Sequence, residues 1–133
     1  MMQRGLPDIV MTSKDHARLS ALARIVSRRL PEVSEFLSRE LDRARVITSK
    51  RVGGAIVAMG SLVEFTYDNS SRTETATLVF PGEEDINLGR ISVLTPVGAA
   101  LIGLSEGQSL TFRTLRGEER RLTVIKVYRQ AYI

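Results

Sequence analysis

Residues 88–110 read Leu88-Gly89-Arg90-Ile91-Ser92-Val93-Leu94-Thr95-Pro96-Val97-Gly98-Ala99-Ala100-Leu101-Ile102-Gly103-Leu104-Ser105-Glu106-Gly107-Gln108-Ser109-Leu110. An apolar run, Ile91 to Leu94, has the composition of a short strand and leads into Thr95-Pro96, a helix opening. The threonine hydroxyl caps, and proline occupies the first helical position, where a missing N–H costs nothing. Val97, Ala100, Leu101 and Leu104 then share one face, which predicts a short buried helix. Gly103 and Gly107 punctuate its exit, and Ser109-Leu110-Thr111-Phe112 starts a new strand. A strand, helix and strand in this order form the unit against which the remaining elements pack.

Upstream of that unit the pattern alternates. In Ser61 to Asp68, Val63, Phe65 and Tyr67 fall on one face; in Arg72 to Phe80, Ala76, Leu78 and Phe80 do. Asp68-Asn69-Ser70-Ser71 between them is turn chemistry, so the two runs predict a hairpin. Glu83-Glu84-Asp85 reads as a solvated acidic loop. Downstream, Leu110 to Thr114 and Arg121 to Tyr128 are strands joined by the turn Leu115-Arg116-Gly117-Glu118, with Leu122, Val124 and Ile125 directed to the core. The second half of the chain is therefore expected to be an antiparallel sheet of four or five strands with one short helix.

The first half has a different period. Asp8 to Met11 is expected to lie extended against the body after a frayed start. Thr12 or Ser13 then caps a helix from Lys14 to Arg29, with Asp15 in its first turn and Leu19, Leu22, Ile25, Val26 and Leu30 as its apolar stripe. Leu30-Pro31 breaks this helix and opens a second. Val33, Phe36, Leu37, Leu41 and Ala44 give the second helix a matching stripe, and so short a connection makes the pair an antiparallel hairpin. Arg28 and Arg29 close one helix and Glu32 and Glu35 open the next, each sign at the end its dipole favours. These four residues are helix-end electrostatics or partner contacts. Thr48 to Gly54 is a linker by composition. The fold class is thus α+β, with a helical hairpin at 12–47 and a second domain at 55–133.

Composition excludes several kinds of chemistry. The chain has 133 residues, enough for one small core with an appendage, and no apolar run near the ~20 residues of a membrane-spanning helix. No secretion signal is evident, so a cytoplasmic, monomeric protein without membrane contact is expected. With no cysteine and a single histidine, neither a thiolate or histidine-rich metal centre nor a cysteine nucleophile can be built, and no cofactor is expected. His16 falls in the first turn of a helix at an expected exposed position. Nineteen Lys and Arg against fifteen Asp and Glu give +4, a balance that permits weak nucleic-acid contact. Arg113, Arg116, Arg120, Arg121 and Arg129 are scattered and mixed with Glu118 and Glu119, and aromatic residues are too few for a base-stacking platform. No glycine-rich phosphate loop or nucleophile elbow is present.

The quoted stretch also carries a resemblance. Gly89 to Gly107 is similar to the "ISVLSPxGxALLGxxxGD" segment of the Gre family of transcript-cleavage factors. It resembles still more closely the Rnk branch, regulators of nucleoside diphosphate kinase, in which "APVGAALLGLRVGD" and "LxxELDRA" recur. Here the latter reads Leu37-Ser38-Arg39-Glu40-Leu41-Asp42-Arg43-Ala44, and Thr77-Leu78-Val79-Phe80-Pro81 matches a strand ending "TLVFP". The motifs occur in the family's order from Thr12 to Tyr128.

The resemblance implies a short coiled-coil hairpin, an FKBP-like C-terminal domain, and RNA polymerase as the partner. Gre factors insert a long coiled coil into the secondary channel of the polymerase, where acidic residues at its tip help to hold a catalytic magnesium ion. In this chain the first helix, from Lys14 to Arg29, would extend about 24 Å at 1.5 Å per residue. Its tip, Arg28-Arg29-Leu30-Pro31-Glu32, has no adjacent acidic pair. The resemblance therefore implies docking without transcript cleavage. The docking positions that match the family are Thr95 and Pro96, which double as a helix start; Leu94 stands where a polar residue often precedes them. An FKBP-like domain also raises prolyl isomerisation, which requires an aromatic-lined pocket; no tryptophan, four Phe and three Tyr supply one poorly.

Overall fold

The computed structural model describes residues 6–48, 55–68 and 70–128. Its elements in chain order are β1 (Val10–Thr12), α1 (Ser13–Val26), α2 (Pro31–Arg43), β2 (Arg45–Ile47), β3 (Leu62–Tyr67), β4 (Glu74–Val79), a 3-10 turn (Ile86–Leu88), β5 (Arg90–Ser92), α3 (Pro96–Leu101), β6 (Ser109–Arg113) and β7 (Glu119–Tyr128). The fold is mixed α+β, with three α-helices and a five-stranded sheet.

Local signals set the helix starts. The Thr12 hydroxyl accepts from the Asp15 N–H at 3.0 Å and caps α1. Pro31 occupies the start of α2 with no side-chain cap before it. Two contacts define how these helices run. The buried Ser34 hydroxyl donates to the Ala23 carbonyl at 2.8 Å, and His16 Nε2 donates to the Leu41 carbonyl at 2.9 Å. The pairs step outward in opposite directions from the turn at 27–30, so the helices are antiparallel. His16 is half-buried and bridges the hairpin, where an exposed position was expected.

The stripe of α1 is Leu19, Ala23 and Val26, all buried, at positions i, i+4 and i+7. Ile25, expected in that stripe, is 78% exposed, because it lies about 100° around the helix from Val26 and turns away from α2. The helix also ends at Val26, so Arg24 is its last-turn base, and Arg28 and Arg29 lie beyond it in the turn. In α2 the expected face holds: Val33, Leu37 and Leu41 are buried, with Phe36 partly so.

The extended start is paired. β1 runs parallel to β2 in the register Val10↔Arg45 to Thr12↔Ile47, flanking the helical hairpin. The segment expected to lie extended against the body does so, held by two hydrogen bonds, Val10 N–H to Gly103 O at 3.0 Å and Arg45 N–H to Ile9 O at 2.9 Å, with Ile9 and Met11 buried beneath it. Of the start expected to fray, residues 1–5 lie outside the described residues. Of the expected linker, residues 49–54 lie outside the described residues.

The sheet order is β5-β4-β3-β7-β6. The hairpin of β3 and β4 forms as expected, with Val63, Phe65, Ala76 and Leu78 buried. Of its turn, Asn69 lies outside the described residues. The sheet is not wholly antiparallel, because β4 and β5 pair parallel from Thr77↔Arg90 to Val79↔Ser92. After β4 the chain turns through Pro81-Gly82 and the 3-10 segment, and so re-enters beside β4 in the same direction.

β7 carries a second departure. Its register against β3 jumps so that Glu64 faces Lys126 while Phe65 faces Val124, leaving Ile125 unpaired in a bulge. The extra residue reverses the alternation. Leu122 and Val124 are buried, Ile125 is 48% exposed, and Val127 takes the inward position instead.

One core joins both halves. Leu19, Leu37 and Leu41 of the hairpin belong to the same buried cluster as Leu78, Leu101, Leu110 and Leu122. Each such leucine contributes about 2 kcal/mol by leaving water. Polar contacts fasten the halves further: Asp15 Oδ2 accepts from the Met59 N–H at 3.1 Å, and the Arg18 guanidinium lies 3.9 Å over the Phe80 ring.

Candidate functional site

The geometry of Thr95-Pro96 is that of a capped helix start. Thr95 is extended at φ −79°, ψ 155°. Its hydroxyl donates to the Ser92 carbonyl at 2.7 Å and accepts from the Gly98 N–H at 3.0 Å, so both of its roles are taken within the chain. Ser92 turns the strand: its hydroxyl accepts from the Leu94 N–H at 3.0 Å, which ends β5 two residues before the expected Leu94. Gly98 makes this corner possible, since a Cβ there would sit 2.2 Å from the Ser92 carbonyl oxygen. Gly98, Ala99, Ala100 and Leu101 are all buried, so α3 is enclosed on nearly every side, and only its start reaches the surface: Thr95 is exposed and Pro96 half-buried.

Pro96 opens into a groove of about 400 Å³ between the first turns of α2 and strand β6. Glu32, Glu35, Phe36 and Arg39 line it from α2; Thr111, Arg113 and Leu115 line it from β6 and the turn that follows. Three of the expected partner residues, Glu32, Glu35 and Pro96, thus come together, although β3, β4 and β5 lie between them in the chain. Thr95 stands one residue outside the lining. Arg28 and Arg29 are exposed in the inter-helix turn and do not line the groove.

The charges of the groove largely pair among themselves. Glu35 meets Arg39 at 3.6 Å, and Arg113 meets Glu119 at 3.7 Å. Both pairs are well exposed and contribute little to stability. Glu32 has no ion-pair partner among the described residues. Apolar surface is supplied by Phe36, by Phe112 behind the strand, and by Leu115, which is 80% exposed in a polar turn. None of the three was expected at a partner surface: Phe36 was expected in the apolar stripe of the second helix, Phe112 in a strand and Leu115 in a turn. The one local signal was a leucine at Leu115, where the turn Leu115-Arg116-Gly117-Glu118 requires no apolar side chain.

Elsewhere the polar chemistry is structural. The acidic loop is solvated and partly folded on itself: Glu84 Oε1 accepts from the Gly82 N–H at 2.6 Å, and Asp85 Oδ1 accepts from the Asn87 N–H at 3.0 Å. Asp68, in the left-handed conformation at φ 51°, accepts from the Arg121 N–H at 3.0 Å and from Arg120 Nε at 2.9 Å. These bonds, the backbone one foremost, hold its carboxyl below the usual range. Burial, with Glu74 nearby, pushes the Tyr67 phenol up, and a hydrogen bond to Glu64 does the same for Tyr128. Among the described residues no three His, Cys, Asp or Glu side chains are grouped to hold a metal ion, and no helix is long and apolar enough to cross a membrane.

Comparison with known proteins places this arrangement. Residues 52–129 match the family described as "Transcription elongation factor, GreA/GreB, C-term", and residues 7–47 match "Rnk N-terminus". The "Regulator of nucleoside diphosphate kinase" of Escherichia coli is 29% identical over 121 residues, covering 91% of this chain and 89% of that protein. The "Transcription elongation factor GreA" of Rhodospirillum rubrum is 31% identical over 115 residues, covering 83% of this chain and 73% of its own length. Among solved structures, "Prokaryotic transcription elongation factor GreA/GreB from Nitrosomonas europaea" superposes with a TM-score of 0.73 at 31% identity, over 91% of this chain and 99% of that one. The quoted segment with its capped Thr95-Pro96 corner lies within the first match, and the antiparallel helices with their "LxxELDRA" motif lie within the second. The chain belongs to the GreA/GreB family of transcription elongation factors and carries the N-terminal segment of the Rnk branch.

Proposed function

We propose that this chain is a noncatalytic transcription regulator that docks on bacterial RNA polymerase near the secondary channel, competes there with longer channel factors, and thereby influences expression, that of nucleoside diphosphate kinase included. The observation that carries the proposal is the groove in which Pro96 of the family segment meets Glu32 and Glu35. A surface built jointly by the hairpin and the sheet half suits a partner that must sense both. In this reading the sheet half, 55–133, is FKBP-like and serves for docking, the hairpin, 12–47, is the stub of a coiled coil, and the protein acts as a cytoplasmic monomer.

Reach and ligand chemistry both argue against transcript cleavage. α1 has 14 residues, which is about 21 Å at 1.5 Å per residue. Its tip presents Arg28 and Arg29, whose charge repels a magnesium ion where the family's cleavage chemistry uses carboxylates. Those arginines instead suit carboxylate or phosphate groups at the mouth of a channel.

Retention of purified core polymerase by the immobilised chain tests the docking. Polymerase should be held at micromolar concentration, and Glu32→Lys with Glu35→Lys should weaken retention about tenfold. An absence of retention at that concentration contradicts the proposal.

A further inference from the structure

The groove has a property that its side chains do not reveal: one of its walls is an unpaired strand edge. Among the described residues β6 is last in the sheet order and pairs with β7 alone. Two bonds give the parity of that ladder: Val124 N–H to Gln108 O at 2.9 Å and Thr114 N–H to Glu118 O at 2.8 Å. Hydrogen-bonded pairs recur at every second residue of an antiparallel ladder. Positions 108, 110, 112 and 114 therefore turn their backbone groups toward β7, and Ser109, Thr111 and Arg113 turn theirs away. Among the described residues no backbone hydrogen bond meets the outward groups of Thr111 and Arg113.

Neighbouring elements leave this edge open. Both α2 and β6 pack on α3, yet α2 does not close over the strand, and the groove is the space left between them. Its volume of about 400 Å³ is within the range of clefts that enclose ligands. Thr111 and Arg113 are exposed and Ser109 is half-buried, so among the described residues the edge is open over its C-terminal part. Proteins usually blunt such an edge with a bulge, a proline, charged side chains or a covering element; among the described residues β6 has only the charge of Arg113, which Glu119 pairs.

We propose that the groove takes an extended segment of a partner polypeptide as a sixth strand against β6, with a basic side chain opposite Glu32 and apolar side chains against Phe36 and Leu115. Main-chain bonds to Thr111 and Arg113 supply the affinity in this mode, and the flanking side chains supply the preference. The charge follows from the ion pairs: Glu35 and Arg39 neutralise each other, as do Arg113 and Glu119, so the unmatched carboxylate is that of Glu32. This inference rests on the reading of the groove as the partner surface and adds the conformation and charge of what binds there.

The test is an NMR titration of the full chain with the blocked hexapeptide acetyl-Thr-Lys-Val-Arg-Val-Thr-amide. Amide shifts should be confined to β6 and the first turns of α2, with the Thr111 and Arg113 amides gaining protection from exchange. The same peptide N-methylated at every amide keeps its side chains but has no N–H to give to a ladder on either edge; it should bind at least tenfold more weakly, as should an acidic counterpart. Thr111→Pro should abolish binding without unfolding the chain, because the lost N–H points away from β7. The N-methylated peptide repeats that test on the unaltered protein.

Equal affinity for the N-methylated peptide, shifts elsewhere, or no binding up to millimolar concentration would overturn the proposal. So would a concentration-dependent dimer that shields β6 and excludes the peptide, which would assign the edge to a second copy of the chain. The titration contains no polymerase. Its failure therefore leaves the retention test unaffected, and a chain that binds the peptide yet fails to retain polymerase loses only the docking proposal.

Discussion

Arg43 grips Glu40 with two hydrogen bonds, from Nε at 2.8 Å and from Nη2 at 2.9 Å, while the Glu40 side chain is only 4% exposed. The same guanidinium donates through Nη1 to the Pro7 carbonyl, so one arginine ties the end of α2 to the segment before β1. This explains half of the "LxxELDRA" motif: Glu40 and Arg43 form the clasp, while Leu37 and Leu41 fill the core. Losing the arginine leaves a buried carboxylate alone, whereas losing the glutamate leaves a guanidinium that is 21% exposed and still reaches water. Arg43→Ala should therefore cost about 3 kcal/mol and Glu40→Ala clearly less. Chemical denaturation of the two variants measures the order; the reverse order contradicts the clasp.

Gly98→Ala should be destabilising although it lies in a helix, where alanine is ordinarily favoured by about 1 kcal/mol. The added Cβ would fall 2.2 Å from the Ser92 carbonyl oxygen and 2.9 Å from the Val93 Cα, both backbone atoms that cannot rotate away. A loss of about 3 kcal/mol is expected from overpacking. The Thr95 cap should loosen with it, visible as faster exchange of the Gly98 amide. A stability equal to that of the parent would mean that α3 and β5 do not approach this closely.

The Asp68 carboxyl supplies a pH dependence. Its pKa is lower in the folded chain than in the unfolded one, because the Arg121 N–H and Arg120 stabilise the charged form. The folded state thus binds the proton less tightly, so this contribution is complete above about pH 4 and fades as pH falls through the folded value. Asp68→Asn keeps a residue that tolerates the left-handed conformation and removes the titration. The melting temperature of the parent should fall more steeply below about pH 4 than that of the variant. Parallel curves would contradict the assignment.

Local chemistry explains what could be read in advance. Thr12, Pro31 and Thr95-Pro96 mark helix starts by groups within one turn, and the alternation of Val63 with Phe65 and of Ala76 with Leu78 needs only a two-sided strand. What escaped depends on distant parts of the chain. The parallel pairing of β4 with β5 follows from where the chain re-enters after Leu88, and the bulge at Ile125 from its register against β3. In α1 the choice between Ile25 and Ala23 follows from where α2 packs, which hydrophobicity alone ranks wrongly. Glu32 and Glu35 stood out by charge, but the groove they share with Leu115 and the open edge of β6 exists only once the strand order is known.

The most direct test of docking without cleavage is a competition on stalled, backtracked elongation complexes. The chain is added in increasing amount to a fixed amount of a GreA-type factor, and cleaved RNA is measured. The account predicts that cleavage falls progressively toward the intrinsic rate and that the chain alone never raises that rate. Unchanged cleavage at a large excess of the chain would contradict the proposed docking near the channel, and cleavage by the chain alone would contradict the proposed noncatalytic role.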